Sequence, residues 1–196
     1  CMQESFKNGK VTTLPSVNTI ADGTAVKTPG SNIFPYIKKN LDDIITVEDD
    51  ELIVAFLDMV ENHKMIVENS GLLTVAALKH LGVKDKRVVS ILSGGNMDVI
   101  TMSSVVQQGL IFRDRIFTVS VLLPDKPGEL AKVAQTLADV QGNVIKLEHN
   151  QFVTTNRSAA VELRITLECF GTEHKEQIIA ALEKKGYKPR IVRTMI

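Results

Sequence analysis

Apolar residues in the first half of the chain alternate between helical spacing and short continuous runs. The helical spacing predicts an opening half-helix that ends at Gly9, and then helices over 34–41, 48–64, 72–81 and 97–109. Two short runs rich in β-branched residues, 43–47 and 87–92, predict buried strands. An alternation of helices with short apolar strands is typical of a parallel sheet covered by helices on both faces, and we expect this architecture over residues 1–112.

Two of these helices carry terminal signals. Thr46 and Asp49, three residues apart, have the spacing of a capping box for the helix that begins at Glu48. Gly82 follows the apolar stretch 72–81 and is placed to end that helix.

From Leu110 the pattern changes to alternating strands and two amphipathic helices. Alternation predicts a strand over 116–123, followed by turn residues at 124–128 and a helix over 129–141. The remaining elements are a strand over 144–153, a turn at 154–157, a strand over 159–169, a helix over 172–186 and a strand over 187–195. The order β-α-β-β-α-β in about 80 residues is that of the ferredoxin-like fold. We therefore expect a second domain over residues 113–196.

Composition narrows the class of partner. The 196 residues carry 23 basic and 23 acidic side chains, without a block of like charge that would favour a nucleic acid or a membrane surface. The two cysteines, Cys1 and Cys169, do not suit a disulfide framework or a thiolate metal site, and no apolar run has the length of a membrane span. Small metabolites are the expected ligands and the cytoplasm is the expected compartment.

Ser93-Gly94-Gly95-Asn96 lies at the end of the predicted strand 87–92, where open α/β sheets place their ligands. The serine hydroxyl either faces a ligand or caps the helix that follows. Glu68, just ahead of a predicted buried helix, leaves the same choice between a site residue and a capping residue.

Two resemblances decide these choices. The segment from Leu123-Pro124-Asp125-Lys126-Pro127-Gly128 through Gly142-Asn143-Val144 to Gly186-Tyr187 resembles an ACT domain, a small regulatory module that binds amino acids. The segment before it resembles the C-terminal half of the catalytic domain of the threonine ammonia-lyase (threonine deaminase) family. The matching residues are Thr19-Ile20-Ala21-Asp22-Gly23, Val67-Glu68 with Gly71, and Ser93-Gly94-Gly95-Asn96.

The family resemblance implies a type II pyridoxal-phosphate fold and a set of cofactor-binding residues. It places the Ser93 hydroxyl at the pyridine nitrogen of pyridoxal phosphate, with Gly94 in the same turn. It places the Gly23 backbone beside the cofactor and Glu68 near its ring. A neutral hydroxyl does not force the nitrogen to be protonated as an aspartate would, which makes the ring a milder electron sink.

The resemblance also implies that catalytic parts lie elsewhere. The lysine that forms the internal Schiff base, the phosphate-binding glycine loop and the family's cation site belong to portions that no stretch here matches. The chain opens as if within a helix, at Cys1-Met2-Gln3, which favours missing upstream sequence over a true start at Met2 with Cys1 as a cloning remnant. We expect no catalytic residue and no metal site here, and an inactive chain when it is taken alone.

The ACT resemblance implies an effector site formed by Asp125, Pro127, Gly128 and Leu130, for a branched-chain amino acid or another small effector. ACT modules usually pair, which implies a homo-oligomer under allosteric control. Two departures from the usual pattern bear on these sites. Asn69-Ser70 replaces a pair that often contains proline or alanine, and Glu148-His149-Asn150-Gln151 keeps a histidine but lacks the aspartate and arginine that often follow it. His149 fits a ligand contact and a hydrogen-bonded structural residue equally well.

Together these resemblances imply a cytoplasmic lyase of isoleucine biosynthesis that converts threonine to 2-oxobutanoate and ammonia. Two alternatives stay open. One is a non-catalytic ACT-type protein that only binds amino acids, and the other is a serine dehydratase or racemase relative that uses the same cofactor.

Overall fold

The computed structural model describes residues 1–151 and 161–194, and it divides into two units, Cys1–Val106 and Gln107–Ile196. The predicted domain boundary after residue 112 stays a prediction. The helix α5 (Val99–Phe112) contains the point of division.

The first unit is built from helices and turns. Its α-helices are α1 (Met2–Asn8), α2 (Phe34–Asn40), α3 (Asp49–Asp58) and α4 (Leu73–Ala76), with 3₁₀ turns at Asp22–Thr24, Asn69–Leu72 and Ala77–His80. Their apolar faces share one core, because α3 supplies Leu52 and Phe56 and the turn before α4 supplies Leu72, all fully buried. The helices predicted over 34–41 and 72–81 are confirmed, although the second is one α-helical turn between two 3₁₀ turns. Gly82 follows in a left-handed conformation, with φ +58°.

The helix predicted over 48–64 is confirmed, but its predicted cap is wrong. The helix α3 continues as a π-helical turn over Met59–His63, and Lys64 ends it in a left-handed conformation. Glu48, not Thr46, is the N-cap, and Glu48 and Glu51 form the capping box. Asp49 is unavailable for that role because its carboxylate accepts hydrogen bonds from Thr19 Oγ1 at 2.5 Å and from Ile20 N–H at 3.1 Å.

The two strands predicted in the first unit, 43–47 and 87–92, are not formed. No residue between 1 and 106 lies in a strand. A strand needs a neighbour to take its backbone N–H and C=O groups. The segment 87–92 lacks one within the described residues. Leu92 packs against the core of the unit, but Val89 and Ile91 are 88% and 74% exposed.

The second unit has the predicted ferredoxin-like order. Its elements are β1 (Ile116–Leu123), α6 (Glu129–Asp139), β2 (Asn143–Asn150), β3 (Val161–Glu168), α7 (Thr172–Lys184) and β4 (Arg190–Val192). The four strands form one sheet in the order β2-β3-β1-β4, and each neighbouring pair is antiparallel. The predicted turn at 154–157 and Met195 lie outside the described residues.

Alternation along the two central strands places one face of the sheet against both helices. Val119, Val121, Leu163 and Ile165 are fully buried in that core. The opposite face is polar: Thr118 and Thr166 share a hydrogen bond of 3.0 Å, and Ser120 donates to Glu162 at 2.7 Å. The strand β4 is shorter than the predicted 187–195, because it pairs with β1 only from Thr118 to Ser120.

Candidate functional site

The Ser93–Gly94 turn lies directly against the segment that begins at Glu68. The Glu68 N–H donates to the Gly94 carbonyl at 3.2 Å, and the Asn96 N–H donates to Glu68 Oε2 at 3.3 Å. A side chain on Gly71 would have its Cβ 1.8 Å from the Ser93 carbonyl oxygen, so only glycine permits this approach. Two of the three motifs singled out in the sequence are therefore in contact.

Gly94 has two reasons to be glycine. Its φ is +77°, a backbone conformation that side chains disfavour. A Cβ at this position would lie 2.2 Å from the carboxyl carbon and one oxygen of Glu68. The Glu68 carboxylate is therefore held against the bare backbone of the turn that carries Ser93.

Neither the Ser93 side chain nor the Glu68 side chain caps the helical segment that follows it. Glu68 precedes the 3₁₀ turn Asn69–Leu72 but makes no side-chain cap to it, since its carboxylate is directed to Asn96. Asp98 caps α5 instead of Ser93, by accepting from the N–H groups of Ile100 and Thr101. A further bond from the Thr101 hydroxyl is the main cause that lowers the pKa of Asp98. Ser93 is exposed, and its hydroxyl bonds to none of the residues in 1–151 or 161–194.

The third motif, the loop 19–24, joins the same cluster. Asp49 holds its first residues, and Asn69 Nδ2 donates to the Ile20 carbonyl at 3.0 Å. A Cβ on Gly23 would lie 2.8 Å from Ser70 Oγ. The four predicted cofactor residues, Ser93, Gly94, Glu68 and Gly23, are thus brought to one place by the segment 68–71.

These residues fit one side of a pyridoxal-phosphate site; we call Ser93, Gly94, Glu68 and Gly23 the cofactor wall. The wall offers a free hydroxyl, a fixed carboxylate and glycine backbone that a flat ring can approach closely. Two buried oxygens beside it, Asn69 Oδ1 and Ser70 Oγ, have no hydrogen-bond partner among the described residues. A buried polar atom of this kind is typical of a site that a ligand or another part of the protein completes.

Sequence reasoning missed Asp49, Asn69 and Ser70 as parts of this arrangement. The sequence pattern presents Asp49 as a capping-box residue, and Asn69-Ser70 as a departure from the usual family pattern. The available signal was a polar pair directly after Glu68, inside an apolar stretch.

The predicted effector residues also lie together. Asp125, Pro127, Gly128 and Leu130 line an open cavity of 310 Å³ at the start of α6. Gly128 is the N-cap of α6, with φ +92°. Glu129 pairs with Lys132 at 2.7 Å, which raises the pKa of Lys132. His149 lines the same cavity from β2.

Within the described part of the chain, no three His, Cys, Asp or Glu side chains are grouped as metal ligands. In the same residues, every helix is too short or too polar to cross a membrane.

Comparisons with known proteins match the two units to two families. Residues 1–94 match the family described as pyridoxal-phosphate dependent enzyme, and residues 117–186 match the ACT domain. The L-threonine ammonia-lyase of Geobacter sulfurreducens is 37% identical over 93% of this chain and 46% of its own length. The L-threonine ammonia-lyase of Thermotoga maritima is 33% identical over 97% of this chain and 48% of its own length.

A solved structure agrees with these relatives. The processed form of threonine deaminase isoform 2 from Solanum lycopersicum is 29% identical, with a TM-score of 0.51, over 55% of this chain and 32% of that one. The chain spans about half the length of the curated relatives it matches. On this basis residues 1–94 belong to the pyridoxal-phosphate dependent enzymes and residues 117–186 belong to the ACT domains.

Proposed function

We propose that this chain is the C-terminal part of a threonine ammonia-lyase, which converts threonine to 2-oxobutanoate and ammonia and carries an amino-acid sensor. The observation that carries the proposal is the contact of the Ser93–Gly94 turn with Glu68 inside a segment that matches pyridoxal-phosphate dependent enzymes. Relatives named L-threonine ammonia-lyase support the substrate.

Three residues of the cofactor wall, Ser93, Glu68 and Gly23, have separate tasks in this proposal. Bound pyridoxal phosphate supplies an electron sink for the charge that develops when threonine loses its α-proton. The Ser93 hydroxyl hydrogen-bonds the pyridine nitrogen without requiring its protonation. Glu68 keeps the turn in shape through Asn96, and Gly23 offers backbone without a side chain to the cofactor's edge.

We infer that the cofactor lysine and the rest of the catalytic domain lie outside this chain. The exposed apolar side chains of Val89, Ile91, Val99 and Ile100 support this view, because several large exposed apolar side chains in one part of the chain favour a covering partner. On this proposal the chain alone does not deaminate threonine.

The cavity beside α6 is the proposed sensor site. The first N–H groups of α6 and the positive end of its dipole suit the carboxylate of an amino acid. Asp125 suits the ammonium group, and Leu123 and Leu130 suit an apolar side chain. An effector then acts by binding one state of a homo-oligomer more tightly than another.

The test of the catalytic proposal uses the whole protein that carries this chain, loaded with pyridoxal phosphate. We expect equal amounts of ammonia and 2-oxobutanoate from threonine. Ammonia and pyruvate from serine, with none from threonine, would assign it to the serine-specific relatives. Absence of cofactor binding together with binding of amino acids would favour a sensor without catalysis.

The test of the sensor site is a calorimetric titration with isoleucine, valine and threonine. We expect Asp125→Asn to weaken binding of the preferred amino acid by about tenfold, as for the loss of one charged hydrogen bond. Asp139→Asn is the matched control, since Asp139 accepts an exposed bond from Gln135 at 2.8 Å, its only side-chain bond to the described residues of this unit. Equal affinities in both variants would exclude Asp125 from the site.

A further inference from the structure

Asn69 is buried between two of the three motifs that form the candidate site. It is only 5% exposed, and it directly follows Glu68 in the chain. Its amide Nδ2 donates to the carbonyl of Ile20 at 3.0 Å, across 49 positions of sequence. This bond joins the loop 19–24 to the segment that holds Glu68 against the Ser93–Gly94 turn.

Ile20 is fixed on both of its backbone polar groups. Its N–H donates to Asp49 Oδ2 at 3.1 Å, and its C=O accepts from Asn69. The bond to Asp49 ties the loop to the start of α3. The bond to Asn69 ties it directly to the segment 68–71, against which Gly23 lies.

We propose that Asn69 is a positioning residue, whose side-chain amide holds Gly23 in place in the cofactor wall. The position of Ile20 determines the position of Gly23, because Ala21 between them is buried and Asp22–Thr24 forms one 3₁₀ turn. Without the amide, the Ile20 carbonyl loses its partner and the loop gains freedom to move from Ser70. Binding of the cofactor then has to order the loop, which lowers the affinity for the cofactor.

The backbone at Asn69 allows an informative substitution. Glu68 has φ −63° and ψ 155°, the extended conformation that a residue before proline prefers. Asn69 is the first residue of a helical turn, a position where proline is tolerated because the N–H there makes no bond within the turn. Asn69→Pro therefore suits the extended conformation of Glu68 and removes the side-chain amide together with the backbone N–H, whereas Asn69→Leu removes only the side-chain amide and keeps the approximate size.

The first measurement is hydrogen exchange of the backbone amides in the whole protein without cofactor. We expect Asn69→Pro and Asn69→Leu to speed exchange at Thr24 and Ala25 by about fivefold or more, as for the loss of one buried hydrogen bond. Amides within α3 should keep their rates. Asn40→Leu is the matched control, because it removes an exposed amide-to-carbonyl bond, to Tyr36 at 2.8 Å, in the same unit.

The second measurement is the affinity for pyridoxal phosphate, and this part rests on the proposed function. We expect the dissociation constant to rise about fivefold in Asn69→Pro and Asn69→Leu and to stay unchanged in Asn40→Leu. Proline also restricts the unfolded chain, which offsets part of the stability lost with the bond, so the urea midpoint of Asn69→Pro should lie closer to that of the unaltered protein than the midpoint of Asn69→Leu does. An equal rise of the dissociation constant in both variants then separates positioning from a loss of stability.

Four outcomes would decide against the proposal or its basis. Unchanged loop exchange in both Asn69 variants, or equal acceleration throughout the unit, would overturn the positioning role. Faster loop exchange with unchanged cofactor affinity would overturn its link to the cofactor. If the unaltered protein binds no pyridoxal phosphate, the proposed function fails, and the exchange rates still decide whether Asn69 holds the loop.

Discussion

At the scale of single residues, Gly94 and Gly82 differ in surroundings but share a backbone conformation. Both have positive φ, +77° and +58°. A Cβ on Gly82 would meet nothing within 4 Å, whereas a Cβ on Gly94 would overlap the Glu68 carboxylate. The pair therefore separates the cost of the backbone conformation from the cost of displacing Glu68.

We expect Gly82→Ala to lower the free energy of unfolding by about 1 kcal/mol, the usual cost of a side chain in a left-handed conformation. Gly94→Ala should cost about 3 kcal/mol, because strain and overpacking add. Urea unfolding followed by circular dichroism measures both. Equal losses in the two variants would mean that Glu68 moves aside freely.

Glu51, in the capping box of α3, gives a second prediction, which concerns the pH dependence of stability. Glu51 accepts from Lys79 at 2.6 Å, from Glu48 N–H at 2.8 Å and from His80 at 2.9 Å. These bonds lower the pKa of Glu51 to about 2, and the bond from Lys79 has the largest effect. Because the folded pKa lies below the unfolded one, the carboxylate stabilises the fold above about pH 4.5, and the effect is lost as the pH falls toward 2.

We therefore expect Glu51→Gln to flatten the decline of the urea midpoint between pH 5 and pH 3. Glu4→Gln is the control, because among the residues that the structure describes its carboxylate makes only a long exposed pair with Lys7, at 3.7 Å. A decline in Glu51→Gln as steep as in the unaltered protein would exclude Glu51 as its source.

At the scale of elements, the sheet of the second unit depends on its two central strands. Leu163 on β3 is fully buried between the sheet and its helices, while Leu122 on the neighbouring strand is half exposed on the other face. We expect Leu163→Ala to cost about 3 kcal/mol by leaving a cavity, and Leu122→Ala less than about 1 kcal/mol. Similar losses in urea unfolding would contradict this assignment of faces.

The elements that could be predicted from the sequence are those whose backbone hydrogen-bond partners lie in the same unit. Alternation gave β1 with its observed bounds, because β3 and β4 lie in the same unit and pair with it. The apolar run 87–92 has the same composition as a strand, yet its backbone finds no neighbouring strand in the described residues. The local sequence pattern predicts the tendency of a segment to form a strand, but it does not show whether a neighbouring strand is present to pair with it.

The site was predictable to the extent that single motifs carried it. Ser93, Gly94, Glu68 and Gly23 were found from short motifs, and the structure brings them together. Their supports, Asp49 and Asn69, act over 30 and 49 positions of sequence, respectively, and no local pattern indicates such contacts.

At the scale of the whole molecule, each unit has its own core and its own candidate site. The first unit offers the cofactor wall, and the second offers the cavity beside α6. We expect the isolated chain to bind an effector amino acid but to release no ammonia from threonine. Calorimetry and an ammonia assay on the same preparation check this, and measurable deamination by the chain alone would contradict the proposed division of the active site.

The most direct test measures 2-oxobutanoate formed from threonine by the whole protein and by its Gly94→Ala and Gly82→Ala variants. We predict turnover by the unaltered protein and by Gly82→Ala, and a loss of at least about a hundredfold in Gly94→Ala, because displacing Glu68 misplaces the turn that carries Ser93. No 2-oxobutanoate from the unaltered protein, or equal turnover in both variants, would contradict the account.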